Sequence, residues 1–215
     1  ARHAGEDVTL SDDASLNGHR VMEALREGLN EVRVFVARRP LLVAVSGVLL
    51  IGTAVATWEA ARAAEVGMET SIADRLKGTS PFGEFVNYTA NNWAVGVAQS
   101  YAGFVFGIAT VVSLAFNGFF LGFLAATEAN LAELVAFVVP HGIVEIPALL
   151  VSGALGLHLG GVAIGYVRGN VTADAVGDEV RRAYRVLLGL LVLFAVAGFI
   201  EGFVSPYYYG PLFGI

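Results

Sequence analysis

The chain has 215 residues, of which 56% are hydrophobic and 15% are charged. These proportions exclude an ordinary soluble domain and are typical of a membrane protein that crosses the bilayer several times. The sequence contains no cysteine, which excludes disulfides, thiolate catalysis and cysteine-based metal sites. The formal net charge is -6, and no nucleic-acid partner is expected.

The amino-terminal segment, residues 1–40, is predicted to be a polar cytoplasmic tail followed by an amphipathic helix. Residues 1–20 are polar and acidic, without the apolar stretch of a cleavable signal peptide. Apolar side chains then recur at helical spacing at Val21, Leu25, Leu29, Val32 and Val36. We expect this helix to lie along the cytoplasmic membrane surface. Packing on a partner or on the chain's own cytoplasmic loop is the alternative.

The rest of the chain predicts an all-α transmembrane bundle of about five spans, because a helix needs about 20 apolar residues to cross the hydrocarbon layer. This transmembrane domain is predicted over residues 41–206. The predicted segments are spans at 41–57, 93–116, 118–139, 141–165 and 186–204, an outer loop at 58–92 and an outer tail at 207–215. Polar residues interrupt the third span at Thr127, Glu128, Asn130 and Glu133, which predicts a broken or re-entrant helix.

The basic residues predict the orientation of these spans in a cell membrane. Of the 13 Lys and Arg residues, six precede the first span and four lie between the fourth and fifth. The positive-inside rule therefore places the amino terminus in the cytoplasm and, with five spans, the carboxyl terminus outside. Trp58, Trp93 and the tyrosines at 207–209 then fall at the outer ends, as expected for an aromatic belt.

Polar side chains from four spans are predicted to meet in the outer half of the membrane. His141 and Glu145 lie one helical turn apart, and no Lys or Arg occurs from Gly78 to Val167. A similar depth is predicted for Glu201, and Glu133 is predicted to lie somewhat deeper in the same half of the membrane. Asn91 and Asn92 are predicted to cap the outer end of the second span. Ionisable groups at membrane depth are costly and are a functional hypothesis by default.

Two interpretations of this polar cluster remain open. The first is a closed hydrogen-bond network that joins the fourth and fifth spans. The second is a site for a cation, a shared proton or a polar substrate, in which His141, Glu145 and Glu201 are the candidate ligands of any metal ion. The sequence contains none of the common hydrolase or phosphate-loop motifs, so no catalysis and no cofactor are expected.

Small-residue pairs four positions apart indicate close helix packing. These pairs are Gly103/Gly107, Gly118/Gly122, Gly156/Gly160 and Gly161/Gly165. They favour packing inside the bundle, with a homodimer seam as the alternative.

Several phrases of the sequence resemble the stage II sporulation protein M family of integral membrane proteins. The phrases are Asn91-Asn92, residues 116–122 (FNGFFLG), residues 140–148 (PHGIVEIPA), residues 153–157 (GALGL) and residues 199–206 (FIEGFVSP). Their order and spacing match from about Phe85 to Pro206. The resemblance implies a five-span protein with an inside amino terminus, and in sporulating bacteria a membrane scaffold for a peptidoglycan-degrading complex. It implies no catalytic residues.

The sequence therefore leaves two alternative functions open. The first is a non-enzymatic scaffold or assembly factor in the lipid bilayer that contacts other membrane or envelope proteins. The second is a small transporter or channel-like subunit that binds a cation, proton or polar substrate at the predicted cluster.

Overall fold

The computed structural model describes residues 6–66, 80–128 and 131–205, with side chains from residue 17 onward. Within these ranges the chain is helical and contains no strand, which confirms the predicted all-α class. The predicted outer tail at 207–215 and its tyrosines lie outside the described residues, as do Asn130 and residues 67–79 of the predicted outer loop.

Six helices follow one another along the described chain. They are α1 (Glu6–Arg38), α2 (Pro40–Ala63), α3 (Pro81–Tyr101), α4 (Ile108–Thr127), α5 (Leu131–Val167) and α6 (Ala173–Phe199). A short 3₁₀ turn, Ala102–Phe104, follows α3, and a π-helical turn, Ile200–Val204, continues α6.

The starts of these helices follow from local sequence. Proline stands at the beginning of α2 and α3, where its missing N–H removes no helical hydrogen bond. The Ser80 hydroxyl accepts a hydrogen bond from the Gly83 N–H, and the Thr172 hydroxyl accepts one from the Ala175 N–H. These hydroxyls satisfy backbone donors at the starts of α3 and α6.

Four of the described helices are long and apolar enough to cross a membrane: α2, α4, α5 and α6 with its π-helical turn. The chain is therefore a multi-pass membrane protein surrounded by a lipid bilayer. Helix α3 runs the length of the bundle between them, because Gly202 lies against Pro81 at its start and Gly156 lies against Gly103 just after its end. Helices α2 to α6 thus alternate in direction, as about five spans require.

The two ends of the bundle are named here by residues they hold. The Glu201 end holds Glu201 and the start of α3, and the Arg39 end holds Arg39, His158 and the turn after α3. Arg39 precedes α2 directly, and its guanidinium lies 3.1 Å from the His158 ring.

The predicted second span, residues 93–116, is not one helix. The chain turns back after Tyr101 and starts α4 at Ile108, so that residues on both sides of the turn belong to different crossings. Phe106 and Gly107 adopt positive φ angles of 52° and 77° in this turn. Such angles are incompatible with a continuing right-handed helix. The first half of the true crossing, residues 81–92, lies in the segment predicted as outer loop.

The predicted third and fourth spans also differ from the structure. Helix α4 ends at Thr127, and α5 is continuous from Leu131 to Val167. Residues 131–139, predicted to finish a third span, therefore begin the next helix. Pro140 and Pro147 both lie inside α5, so neither ends it. The polar break therefore falls between the end of one crossing at Thr127 and the start of the next at Leu131, and the predicted broken or re-entrant third span is wrong.

Glycines bring the backbones of neighbouring helices into contact. A methyl group added to Gly118 or Gly122 of α4 would overlap the backbone carbonyl of Leu50 or Ala54 on α2. One added to Gly103 would overlap the backbone of Gly156 on α5. The predicted pairs 103/107, 118/122 and 156/160 thus pack inside the bundle, where close approach gains dispersion contacts. Gly161 differs, since an added methyl would meet no atom within 4 Å.

A buried polar network joins α3, α4 and α5. The Gln99 amide donates to the Leu149 carbonyl at 3.0 Å and to the Ser152 hydroxyl at 2.8 Å. The Ser113 hydroxyl of α4 donates to the Gln99 side-chain oxygen at 3.0 Å. Because these groups satisfy one another, the network acts as interhelical polar glue.

Helix α1 packs on the first half of α6. The backbones of Gly28 and Gly189 touch, and Glu31 pairs with Arg185 at 3.4 Å. Phe35 is 1% exposed and belongs to the main apolar core. The contacts of this amphipathic helix are therefore with α6 of the same chain. They lie at the end of the predicted loop 166–185 and just after it. Helix α6 itself begins at Ala173, earlier than the predicted span at 186–204.

Candidate functional site

A cavity of about 320 Å³ opens between the helices at the Glu201 end. Most of its lining is apolar and comes from α2, α4 and α5. Its polar lining residues are Tyr88, Asn117, His141, Glu145 and Glu201. A mostly apolar cavity with a few convergent polar groups is the usual form of a small-ligand site.

Glu201 enters the cavity from the π-helical turn that continues α6. In a π-helical turn the hydrogen bonds skip one extra residue, which changes the direction of the side chains that follow. Next to it, Gly202 packs against the Pro81 carbonyl and the Phe85 backbone at the start of α3. Glu201 is only 7% exposed. Turns of this kind occur frequently at functional sites.

His141 and Glu145 project from the same face of α5, because they are four residues apart on one helix. His141, Glu145 and Glu201 each offer a donor atom, and these three atoms lie within 4.8 Å of one another. The Phe137 ring meets the His141 ring edge-on, with the ring centres 5.6 Å apart. The structure thus brings together three of the six residues that the sequence singled out.

Tyr88 of α3 is a member of this site that the sequence reading missed. Its hydroxyl interacts with the carboxyl groups of both Glu84 and Glu201. The predicted second span began at residue 93 and so left Tyr88 in a loop. The sequence signal that could have indicated Tyr88 is its spacing from Glu84, since the two residues lie one turn apart on one helix face.

The other three predicted residues do not line the cavity. Glu133 lies two turns before His141 on α5. Asn91 and Asn92 lie in the middle of α3, where the Asn91 amide donates to the Asn92 side-chain oxygen at 3.1 Å. The prediction that these asparagines cap a span is wrong, because the crossing begins at Pro81 rather than at residue 93.

No Lys or Arg is among the residues that line the cavity within the described chain. The described lining therefore combines two carboxyl groups, an imidazole and a phenol without an ammonium or guanidinium group. In a low-dielectric environment two carboxylates cannot both stay ionised without a compensating positive charge. Protons or a bound cation are the groups that supply this charge.

A second ionisable cluster lies at the Arg39 end, and its composition differs. The His158 Nε2 atom lies 3.0 Å from the Glu179 carboxylate and 3.1 Å from the Arg39 guanidinium. Glu179 also accepts a hydrogen bond from Arg182 at 3.0 Å. The Arg39 guanidinium stacks over the Phe35 ring at 5.1 Å. His158 is therefore a hydrogen-bonded histidine packed between helices.

Fold and site together define the class of protein, a multi-pass helical membrane protein with an acidic cavity near one end of its bundle. The chain matches the stage II sporulation protein M family over residues 41–206 and belongs to that family. The match includes the whole crossing part of the chain and both elements of the cavity, His141 with Glu145 and Glu201.

The chain is also similar to a curated protein from an archaeon. The chain is 27% identical over 126 residues to an uncharacterized protein of Methanocaldococcus jannaschii. The aligned region covers 57% of this chain and 71% of that protein. No solved structure matches the chain.

Proposed function

We propose that the protein binds a small cation or polar solute in the cavity at the Glu201 end and acts as a small transporter or channel-like subunit. One observation carries this proposal: donor atoms of the buried His141 and Glu201 and of the half-buried Glu145 lie within 4.8 Å of one another beside a cavity in the helix bundle. A purely structural polar contact needs no cavity beside it. The proposed function includes no chemical step.

The direction of access follows from an inside amino terminus, which is part of the proposal. Arg39, directly before α2, and Arg182, in the first part of α6, both lie at the Arg39 end. The positive-inside rule assigns that end to the cytoplasm. The cavity then faces the outer half of the membrane, and its solute enters from outside.

Single cysteines test this orientation, because the natural chain has none. Asn170 is exposed in the turn between α5 and α6, and Glu59 is exposed near the other end of α2. In intact cells a membrane-impermeant maleimide should label Glu59→Cys and leave Asn170→Cys unlabelled until the membrane is opened. The reverse pattern would contradict the proposed direction of access.

Flux through reconstituted vesicles tests the transport function itself. Purified protein in proteoliposomes should dissipate an imposed proton or divalent-cation gradient, reported by a dye inside the vesicles. Glu145→Gln and Glu201→Gln should reduce this flux to the level of empty vesicles. Glu59→Gln is the matched control, since it makes the same chemical change at an exposed position outside the cavity. Equal flux in all three variants would contradict a role of the cavity.

A second function, a non-enzymatic scaffold or assembly factor, is favoured by helix α1. On this helix Val21 is 58% exposed and Met22 is 53% exposed, although α1 is not one of the helices apolar enough to cross a membrane. Exposed apolar side chains on such a helix suit a membrane surface or a partner protein.

Partner retention separates the two functions. A scaffold should keep its membrane or envelope partners when Glu145 and Glu201 become Gln, and should lose them when Val21 and Met22 become Ser. If the protein is a transport subunit, flux should be lost when Glu145 and Glu201 become Gln and kept when Val21 and Met22 become Ser. Cross-linking in native membranes followed by mass spectrometry identifies the partners of two double variants. One carries Glu145→Gln with Glu201→Gln, and the other carries Val21→Ser with Met22→Ser.

A further inference from the structure

The cavity contains a set of donor atoms whose chemistry is more specific than a general cation site. One imidazole nitrogen and two carboxylate oxygens lie within 4.8 Å of one another. A tetrahedral ion with ligands about 2.1 Å away holds its donor atoms roughly 3.4 Å apart. Small rotations of three side chains therefore reach the geometry of a bound metal ion.

His141 supplies an independent observation that a ligand is expected here. The residue is 93% buried, as its exposure is 7%, and it lines the cavity. Its buried Nδ1 atom makes no hydrogen bond of normal geometry within the described chain, although the Phe137 backbone interacts with the imidazole. Burying such an atom without a partner costs free energy, and an ion is one of the groups that account for it.

Charge balance indicates the valence of that ion. Two carboxylates and a neutral imidazole carry a charge of about -2, and the lining contains no Lys or Arg. A divalent cation makes the site neutral, which is the condition for stability at membrane depth. A monovalent cation would leave one buried negative charge uncompensated.

The type of donor atom selects among divalent ions. Mg²⁺ and Ca²⁺ prefer six or more oxygen ligands, whereas an imidazole nitrogen suits Zn²⁺ and its neighbours in the first transition row. Three protein ligands leave a fourth position for water or an exchanging ligand, and the cavity provides the space beside it. The Tyr88 hydroxyl, which interacts with Glu201, is placed to orient one ligand.

We propose that His141, Glu145 and Glu201 form a binding site for a divalent transition-metal ion of the zinc class, with one coordination position open to the cavity. This inference rests on the proposed function in that it names the class of cation the cavity binds. It assigns His141 and Glu145 of α5 and Glu201 of the π-helical turn as ligands, and Tyr88 as a positioning residue.

Metal titration of the purified full chain tests the site. Protein without a histidine tag, stripped with chelator in detergent, should bind about one Zn²⁺ per chain in isothermal titration calorimetry. Saturating Zn²⁺ should raise the thermal unfolding temperature, while Mg²⁺ and Na⁺ at the same concentration should not. Substitution of any one ligand, as His141→Gln, Glu145→Gln or Glu201→Gln, should weaken Zn²⁺ binding about 100-fold or more.

Matched controls separate this site from surface binding. Glu59→Gln and His19→Gln make the same chemical changes at exposed positions, and both should bind Zn²⁺ like the natural chain. Zn²⁺ binding that is absent, or that survives all three ligand substitutions, would overturn the proposal. If a ligand variant fails to fold, Co²⁺ bound to the natural chain decides. A tetrahedral visible spectrum supports the site, and the spectrum of aqueous Co²⁺ overturns it.

The failure of this inference is distinguishable from the failure of the proposed function. Glu201-dependent proton flux without stoichiometric Zn²⁺ binding would overturn the metal site and leave the transport function standing. Stoichiometric Zn²⁺ binding without any flux would support the metal site and overturn transport.

Discussion

The two ends of the bundle each hold a histidine and glutamate, but only one end supplies them with arginine. At the Arg39 end, His158 and Glu179 lie within hydrogen-bond distance of Arg39 and Arg182. At the Glu201 end, His141, Glu145 and Glu201 line a cavity to which the described chain contributes no Lys or Arg. Similar side chains therefore have different roles. At the Arg39 end the arginines balance the charge of the glutamate, whereas at the Glu201 end the carboxyl groups need an added cation.

Packing density follows the same contrast. Near His158 the backbones of α3 and α5 touch at Gly103 and Gly156, and no side chain fits between them. Beside the cavity, a methyl group added to Gly142 would meet only side-chain carbons at 3.5 and 3.6 Å, which is ordinary contact. The Arg39 end is thus closed by backbone contact, and the Glu201 end has room for a ligand.

The largest effect is expected from an alanine at the closed end. Gly103→Ala should destabilise the bundle by about 3 kcal/mol, because the added methyl overlaps the rigid Gly156 backbone rather than a side chain that can rotate. Gly142→Ala, its control beside the cavity, should be neutral or stabilise the helix by about 0.5 kcal/mol. Unfolding in mixed detergent micelles measures both, and equal losses would remove the packing difference between the ends.

The second-largest effect is expected when the glutamate charge is removed from the cluster at the Arg39 end. Glu179→Gln should cost about 1–3 kcal/mol, because His158 and Arg182 lose the carboxylate that both contact. The Glu179 side chain is 21% exposed, so water offsets part of the loss. The same unfolding assay measures it, with the exposed Glu59→Gln as control. A loss no larger than that of the control would show that this cluster is not structural.

Tyr88→Phe, at the Glu201 end, should affect ligand binding rather than folding. Removing the hydroxyl frees the Glu201 carboxyl from one partner, and we expect about 10-fold weaker Zn²⁺ binding. Tyr184→Phe is the control, because Tyr184 is 57% exposed and does not line the cavity. Calorimetric titration of both variants checks this, and equal affinities would remove Tyr88 from the site.

The smallest effect is expected on the stability of the metal-free protein when Glu201 becomes Gln. This substitution removes one of two neighbouring buried carboxyl groups, so stability should stay within about 1 kcal/mol of the natural chain or rise slightly. Compared with Glu179→Gln, it tests directly whether the two acidic residues differ in role. A loss larger than that of Glu179→Gln would make Glu201 part of the structural framework.

Much of the site was predictable from one helix and little of it from the others. The spacing of His141 and Glu145 predicts a shared face whatever the rest of the fold does, because both lie on one helix. Glu201 was predicted at a similar depth, but its position in the cavity depends on the π-helical turn and on Gly202 packing against Pro81. Tyr88 and the Arg39 cluster required the true start of α3 and the docking of neighbouring helices.

The sequence by itself determined the class of the protein, since the free energy of moving apolar side chains from water into lipid is a sum over composition. It also determined the family and the pair on α5. Only the tertiary structure decided where α3 and α4 divide, which histidine is paired with arginine, and which three donor atoms converge. These features depend on close approach between helices far apart in sequence, through glycine contacts and a left-handed turn that apolar composition does not specify.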